Sequence, residues 1–426
     1  MTAIIELTLD AIAHGGEAIG RHGGKAVFVP YAIPGERVRV EIIEEKARWA
    51  RARLLDVLRA DPDRIEPPCP YFGPGLCGGC QWQHIAYERQ AELKQAIVAD
   101  QLRRLGGITD PPVADIIALA DPATLDDDPQ FLAYGYRNHA QFAFTPQGHT
   151  GYRRAASPEL IAIDRCLLLH GQLDELHAAL DVTGASFRGV SLRGGINTGD
   201  SLVLLESANE QHPDLEISLP AAIALRTPQG IRALIGDPWL VEEVLGRRCR
   251  VSAESFFQVN TVGAAALVEL VTTYADAQPA DVVLDAYCGV GLFALALADT
   301  ASAVIGIEAS SAASEDFAFN AGDRDNIELH EGPVEEVLPA IQVQGQHVDV
   351  VIMDPPRSGA GPQVIRELAA LRPRRIVYIS CDPATLARDA VHLAEARFRL
   401  AEAQPVDLFP QTYHVETVAL WEVLPS

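Results

Sequence analysis

Over the first 59 residues apolar and polar side chains alternate in short runs. The runs "IIELTLDAI", "KAVFVPYAI", "ERVRVEIIEE" and "ARARLLDVL" are separated by the glycine-rich "HGGEAIGRHGGK" and by "IPGE". A period of two interrupted by turn residues predicts strands, and so many short strands in sequence predict a small β-barrel over residues 1–60. Asp61 to Pro70, "DPDRIEPPCP", reads as a linker. A helical pattern follows over about 85–106 and stops at Gly106-Gly107. Residues 110–130 are loop-like and acidic. From 131 to about 245 strand-like segments prevail, with one helical stretch near 167–181. Residues 61–250 are therefore expected to form a central, mostly-β domain, with the helix at 85–106 free to pack on the next one.

Near residue 261 the period changes. Val262, Ala266, Leu267, Leu270, Val271 and Tyr274 fit one helix face. Short apolar runs then alternate with helical segments: "DVVLDAY" (281–287), "SAVIGIE" (302–308), "DVVIMD" (349–354), "RIVYIS" (375–380) and "ETVALWEV" (416–423). That alternation predicts a doubly wound α/β sheet over residues 251–426, so the whole chain reads as a multidomain α/β protein.

Composition narrows the setting. Of 426 residues 48% are hydrophobic and 22% charged, as in ordinary globular proteins. No apolar run approaches membrane-helix length, and the N-terminus carries Glu6 and Asp10 with no basic segment before them, which predicts a cytoplasmic protein without a membrane partner. Seven cysteines, an odd count in a long chain, point to metal binding or catalysis rather than a disulfide framework. The net charge of −24 argues against a nucleic-acid partner. Yet 31 of the 34 basic residues are arginine, the side chain suited to bidentate phosphate contact. Several cluster in "KARWARARLLDVLR" (46–59), and a cleft around Arg48, Arg51 and Arg53 is the expected place for an anionic partner.

Three segments of the α/β half carry chemistry. In "VLDAYCGVGLFALALA" (283–298) a strand meets a glycine turn and a helix start, and Gly289 and Gly291 let the backbone approach a ligand. Glu308, ending the next strand, stands 19 residues after Gly289, where a carboxylate can accept ribose hydroxyls. Asp354 in "MDPPRSG" and Cys381 in "SCDP" each follow a strand end and so open into one crevice. Cys69, Cys77 and Cys80 have the spacing C-x7-C-x2-C, which suits metal ligation.

Taken in order, "SFFQVN" (255–260), "LDAYCGVGLF" (284–293), "GIEAS" (306–310), "DPPRSG" (354–359), "SCDPATLARD" (380–389) and "FPQTYHVETVAL" (409–420) resemble the RNA uracil-C5 methyltransferase family, which makes 5-methyluridine. Residues 1–59 resemble a TRAM domain, an RNA-binding barrel of OB-like type. "CPYFGPGLCGGCQWQH" (69–84) with the distant Cys166 resembles the 4Fe-4S site of the cluster-bearing branch, although four thiolates also suit zinc. The resemblance implies a Rossmann-like methyltransferase domain that uses S-adenosylmethionine. It implies RNA, ribosomal or transfer, as partner, and no obligate protein partner is expected.

The resemblance also assigns roles. Carbon 5 of uracil is a poor nucleophile until a thiolate adds to carbon 6. Cys381 matches that nucleophile and Glu416 the base that afterwards removes the carbon-5 hydrogen. Gln258, Tyr287, Gly289, Glu308 and Asp354 match the cofactor site, with Asp354 assigned either to the methionine end or to the uracil edge. Phe256 and Phe257 offer stacking faces for an extruded base. Cys69, Cys77, Cys80 and Cys166 match the cluster ligands. Three positions depart from the family pattern: Asp382 where Asn is common, Gln411 where His is common, and Leu292 near the cofactor. A non-catalytic RNA-binding factor of the same fold is the alternative, and it is disfavoured because Cys381 and Glu416 are both present. Cytosine methylation is disfavoured because "DPPR" holds no cysteine.

Overall fold

The computed structural model describes residues 3–119, 133–181, 187–209 and 216–425. The acidic stretch expected to be loop-like over 110–130 therefore lies largely outside the described residues.

The N-terminal alternation folds into a closed five-stranded barrel. Its strands are Ile4–Ile12, Ala18–His22, Lys25–Val29, Arg37–Glu45 and Trp49–Arg59, and closure comes from pairing of the first with the fourth. Leu7, Leu9, Val27, Val29, Val38 and Val40 fill its interior. The residues between them face outward, as the pleat requires. There the barrel's arginines meet carboxylates: Arg37 pairs with Glu6, Arg39 with Asp56, Arg51 with Glu17 and Arg53 with Glu41. Positive charge expected to be free for a partner around Arg51 and Arg53 is thus neutralised locally.

The central part is a seven-stranded sheet ordered Gly230–Ile235, Ala222–Thr227, Ser201–Ser207, Phe187–Gly194, His139–Phe144, Thr150–Arg153 and Leu160–Ala162. The helix Gly171–Ala179 packs Leu173 and Leu176 into its core.

The C-terminal half is an eight-stranded sheet. Its order is Ile327–Glu331, Ala303–Glu308, Val282–Ala286, Val350–Met353, Arg375–Ser380, Glu416–Val423, Phe398–Asp407 and Ile117–Ala118. The first five strands are parallel, and Glu416–Val423 runs antiparallel to Arg375–Ser380. Alternate residues of each strand enter two separate cores: Val283, Val304, Ile352 and Ile379 on one face, Leu284, Ile305, Met353 and Tyr378 on the other. Burial on both faces is why these strands read as near-continuous apolar runs. Two strands, Ile327–Glu331 and Phe398–Asp407, carry polar residues and were not anticipated.

The first face is covered by Thr261–Ala275, Leu292–Leu297 and Ser311–Ala321; the second by Val334–Val343, Gly361–Ala370 and Pro383–Glu395. The helix Tyr87–Arg104 joins the second face through Val98 and Leu102. With Ile117–Ala118 pairing to Val406 and Asp407, residues from before 120 complete the sheet's far edge.

Candidate active site

The strand order reverses between Val282–Ala286 and Val350–Met353, and a crevice opens at the carboxyl ends of such strands. The turn after Val282–Ala286 is built for close approach. Tyr287, Gly289 and Gly291 have φ of 67°, 55° and 94°. A Cβ on Gly291 would stand 2.7 Å from the Phe317 ring, so glycine is required there by backbone and by packing. Glu308 at the end of Ala303–Glu308 accepts from Gly289 N at 2.9 Å and Ser310 N at 2.7 Å. Two backbone donors thus aim its carboxylate across the turn. Tyr287 packs partly buried against the second core.

Asp354 lies just past Val350–Met353. Its Oδ2 is 3.4 Å from Gln258 Nε2, which brings the segment before Thr261–Ala275 to the crevice. Burial pushes the Asp354 carboxyl up to about 7. Gln258 is itself buried and held from the central sheet. Asn138 Nδ2 donates to Gln258 O at 3.0 Å and to Thr261 Oγ1 at 2.9 Å, and Asn138 N donates to Val259 O at 2.9 Å. Of the two phenylalanines expected to stack on a base, Phe256 is exposed but Phe257 is a core residue. Adjacent side chains here leave the chain on opposite sides, and only one side faces solvent.

Cys381 follows Arg375–Ser380 and is half-buried. Burial pushes its thiol up to about 11, the Glu416 carboxyl adds to this, and Arg357, which donates to the sulfur, pulls the other way. Glu416 begins the neighbouring strand. It is buried, its Oε1 has no partner among the described residues, and burial together with Asp354 pushes its carboxyl well above the usual range. A cavity of about 110 Å³ opens beside the thiol, lined by Arg357, Cys381, Asp382, Tyr413 and His414, and also by His14 and Gly15 of the barrel.

Sequence reasoning missed three groups. Asp285 is fully buried, both its oxygens lack a partner among the described residues, and burial and Asp354 push it well above the carboxylate range. A charge-capable residue inside "VVLDA" was the available signal. Arg357 stands in the motif "DPPRSG", where the sequence gives it no role of its own. His14 carried no signal, since nothing in the sequence places the barrel's first turn beside Cys381.

The departures from the family pattern have structural counterparts. Asp382 caps the helix Pro383–Glu395 by accepting from Thr385 N at 2.8 Å, a role that asparagine fills as well. Gln411 adopts φ 67°, and its side chain accepts from Gln90 Nε2 at 2.9 Å. Leu292 is buried in the first core.

Cys69, Cys77, Cys80 and Cys166 line a second cavity of about 290 Å³. Among the described residues no group of three or more His, Cys, Asp or Glu side chains is placed to hold a metal ion. The four thiols stand around a shared space instead. Burial raises the Cys80 thiol, and Cys166, Cys77 and Cys69 raise it further, so ionising the quartet requires a positively charged occupant. Four thiols are the donor type of an iron–sulfur or zinc site, and no metal-holding arrangement of them is formed among the described residues. Cys249 and Cys288 are buried in the first core, and all seven cysteines are free. Among the described residues no helix is long and apolar enough to cross a membrane.

Comparison with known proteins agrees with this architecture. Residues 241–423 match the family described as tRNA (Uracil-5-)-methyltransferase, and residues 3–55 match the TRAM domain. An uncharacterised RNA methyltransferase of Streptomyces avermitilis is 37% identical over 98% of both chains. Another, of Halalkalibacterium halodurans, is 32% identical over 99% of this chain and 97% of its own. The crystal structure of Pyrococcus abyssi tRNA (uracil-54, C5)-methyltransferase in complex with S-adenosyl-L-homocysteine superposes with a TM-score of 0.73. It covers 99% of this chain and 100% of that one at 24% identity, which shows a shared fold. The chain belongs to the S-adenosylmethionine-dependent RNA methyltransferases of the tRNA (uracil-5-)-methyltransferase family and carries a TRAM domain at its N-terminus.

Proposed function

We propose that this enzyme methylates carbon 5 of a uridine in transfer or ribosomal RNA through a covalent adduct between Cys381 and carbon 6. The observation that carries the reading is that Cys381, Glu416 and the pair Asp354 and Arg357, from three chain segments, lie close enough to act on one another's charge. Cys381 gives its proton to solvent and adds to carbon 6 as the thiolate, and the carbon 5–carbon 6 π electrons move onto carbon 5 and the carbon-4 oxygen as an enolate. Arg357 steadies the thiolate. S-adenosylmethionine, when bound, supplies the methyl group as an electrophilic carbon on a sulfonium. Glu416 then takes the carbon-5 proton, a task suited to a carboxylate made more basic by burial. Electrons of that C–H bond reform the carbon 5–carbon 6 double bond and expel the Cys381 thiolate.

The donor site fits a cation. Asp285, Glu308 and Asp354 surround the turn at Gly289, and a sulfonium with an ammonium group relieves their mutual repulsion. Glu308 is assigned to the ribose hydroxyls, Tyr287 to the adenine pocket, and Gln258 and Asp354 to the methionine end or the uracil edge. Phe256 is assigned to the extruded base. The quartet Cys69, Cys77, Cys80 and Cys166 is assigned a structural 4Fe-4S cluster, tying together segments far apart in sequence. Seven free cysteines suit a reducing, cytoplasmic setting.

The test uses purified protein, labelled S-adenosylmethionine, and transfer and ribosomal RNA pools lacking 5-methyluridine, with Cys381→Ala alongside. Label recovered as 5-methyluridine from one pool, and absent with the variant, is the expected result. Donor binding without label in either pool would favour the RNA-binding factor instead.

A further inference from the structure

The barrel's first turn forms part of the wall of the catalytic cavity. Between Ile4–Ile12 and Ala18–His22 the chain runs Ala13-His14-Gly15-Gly16-Glu17. Ala13 N donates to Glu17 O at 2.8 Å and Gly16 N to Ala13 O at 2.9 Å, closing the hairpin. The turn is clamped from outside. Trp82 Nε1 donates to Gly16 O at 2.9 Å, and Arg51 pairs with Glu17 at 2.9 Å. Gly16 has φ of 79°, and a Cβ there would stand 2.7 Å from Tyr413 Cβ. The turn therefore lies directly on the segment that leads to Glu416, and only glycine allows that approach.

This seating carries His14 into the cavity beside Cys381. Its Nε2 is 3.4 Å from Asp382 Oδ1, and its side chain is 31% exposed. Burial works to raise the Asp382 carboxyl, but hydrogen bonds from His14 and Thr385 outweigh it and hold the group ionised. A half-exposed pair of this kind contributes at most about 1 kcal/mol to stability, too little to account for a histidine in this place. With Nε2 turned to Asp382, the other ring nitrogen is left for a ligand, and it donates whenever the ring is protonated.

The chemistry of that ligand follows from charge. The chain carries −24 overall, and Arg37, Arg39, Arg51 and Arg53 of the barrel are already paired with carboxylates. Phosphate recognition at this cavity then rests on the cations that line it. Arg357 and, when protonated, His14 both line this cavity, one from the α/β half and one from the barrel. We propose that His14, paired with Asp382, is a positioning residue that takes an RNA backbone phosphate beside the target uridine, so that the barrel completes the active site. This rests on reading the cavity as the uridine site.

The test compares wild type with His14→Gln, which keeps the size without the charge, and with His14→Lys, which keeps a charge. His14→Ala guards against a contact made by glutamine itself. RNA binding is measured across a salt series, and steady-state kinetics at saturating donor on the RNA pool that wild type methylates. His14→Gln and His14→Ala should raise KM for RNA about tenfold, the loss of one charge-assisted hydrogen bond, with kcat changed by roughly twofold or less. The slope of log affinity against log salt should fall by about one, and His14→Lys should restore both. Unchanged KM and slope in His14→Gln would overturn the proposal, as would a fall in kcat at constant KM, which would put His14 on the base. If wild type transfers no methyl group to uridine, the reading of the cavity fails, while the salt series still decides whether His14 meets a phosphate.

Discussion

Lys94 Nζ lies 2.6 Å from Asp407 Oδ1, with both side chains wholly buried. Lys94 sits on the helix Tyr87–Arg104 and Asp407 ends the strand Phe398–Asp407, so the pair joins parts of the chain 313 residues apart. Lys94 Nζ also donates to Phe409 O at 3.0 Å and stands 5.9 Å from the Trp82 ring centroid. The segment that lines the cavity with Tyr413 and His414 and leads on to Glu416 starts from this anchor. Lys94→Ala would leave Asp407 buried without a counter-ion and should cost about 3–5 kcal/mol in urea unfolding. The double variant Lys94→Met/Asp407→Leu should recover most of that loss. A small effect of the single variant would show that water reaches Asp407.

The raised Cys381 thiol has a pH signature. Only the thiolate is alkylated, so labelling of Cys381 by iodoacetamide, followed by peptide mass spectrometry, should rise about tenfold per pH unit until it levels off near pH 11. Glu416→Gln removes a negative neighbour and should speed labelling at a given pH; Arg357→Ala removes the opposing cation and should slow it. The sign for stability follows from linkage. The unfolded thiol ionises first, near pH 8.5, so the folded state holds the proton longer and this group's contribution falls as pH rises from there toward 11.

In the proposed mechanism Glu416 acts after the methyl group has moved. Glu416→Gln should therefore reduce turnover by roughly 10² to 10⁴-fold while still allowing Cys381 to add to the base. A protein–RNA adduct carrying the methyl label should accumulate and survive denaturing electrophoresis. Cys381→Ala should form none. Turnover close to wild type in Glu416→Gln would move the base elsewhere.

The cysteine quartet is wired to the same segment. Gln81 N and Trp82 N, next to Cys80, donate to Gln411 O at 3.2 and 3.1 Å, and Tyr136 OH donates to Pro410 O at 3.2 Å. Cys80→Ser should lower iron and acid-labile sulfide in anaerobically purified protein and speed amide exchange over residues 408–416. Iron content unchanged from wild type would remove Cys80 from the ligand set.

Much of this molecule was legible along the chain. The runs 375–380 and 416–423 coincide with the strands Arg375–Ser380 and Glu416–Val423, because a strand buried on both faces must be apolar throughout. The barrel was legible because its pleat writes alternation into the sequence. The residues Cys381, Asp354 and Glu308 stood out because the ends of parallel strands open into the crevice whatever else surrounds them. Tertiary structure alone decided the rest. That Phe256 meets solvent while Phe257 joins a core depends on which side of the backbone the helix Thr261–Ala275 covers. Arg51 and Arg53, expected as free charge on the barrel, face Glu17 and Glu41; cross-strand register sets the second pair and the fold of the first turn sets the other. Lys94 reaches Asp407, and His14 reaches Asp382, across hundreds of residues, and no local period encodes such meetings. They are set by how the barrel and the helix Tyr87–Arg104 dock on the sheet, where shape and burial, rather than sequence spacing, determine which charges face one another.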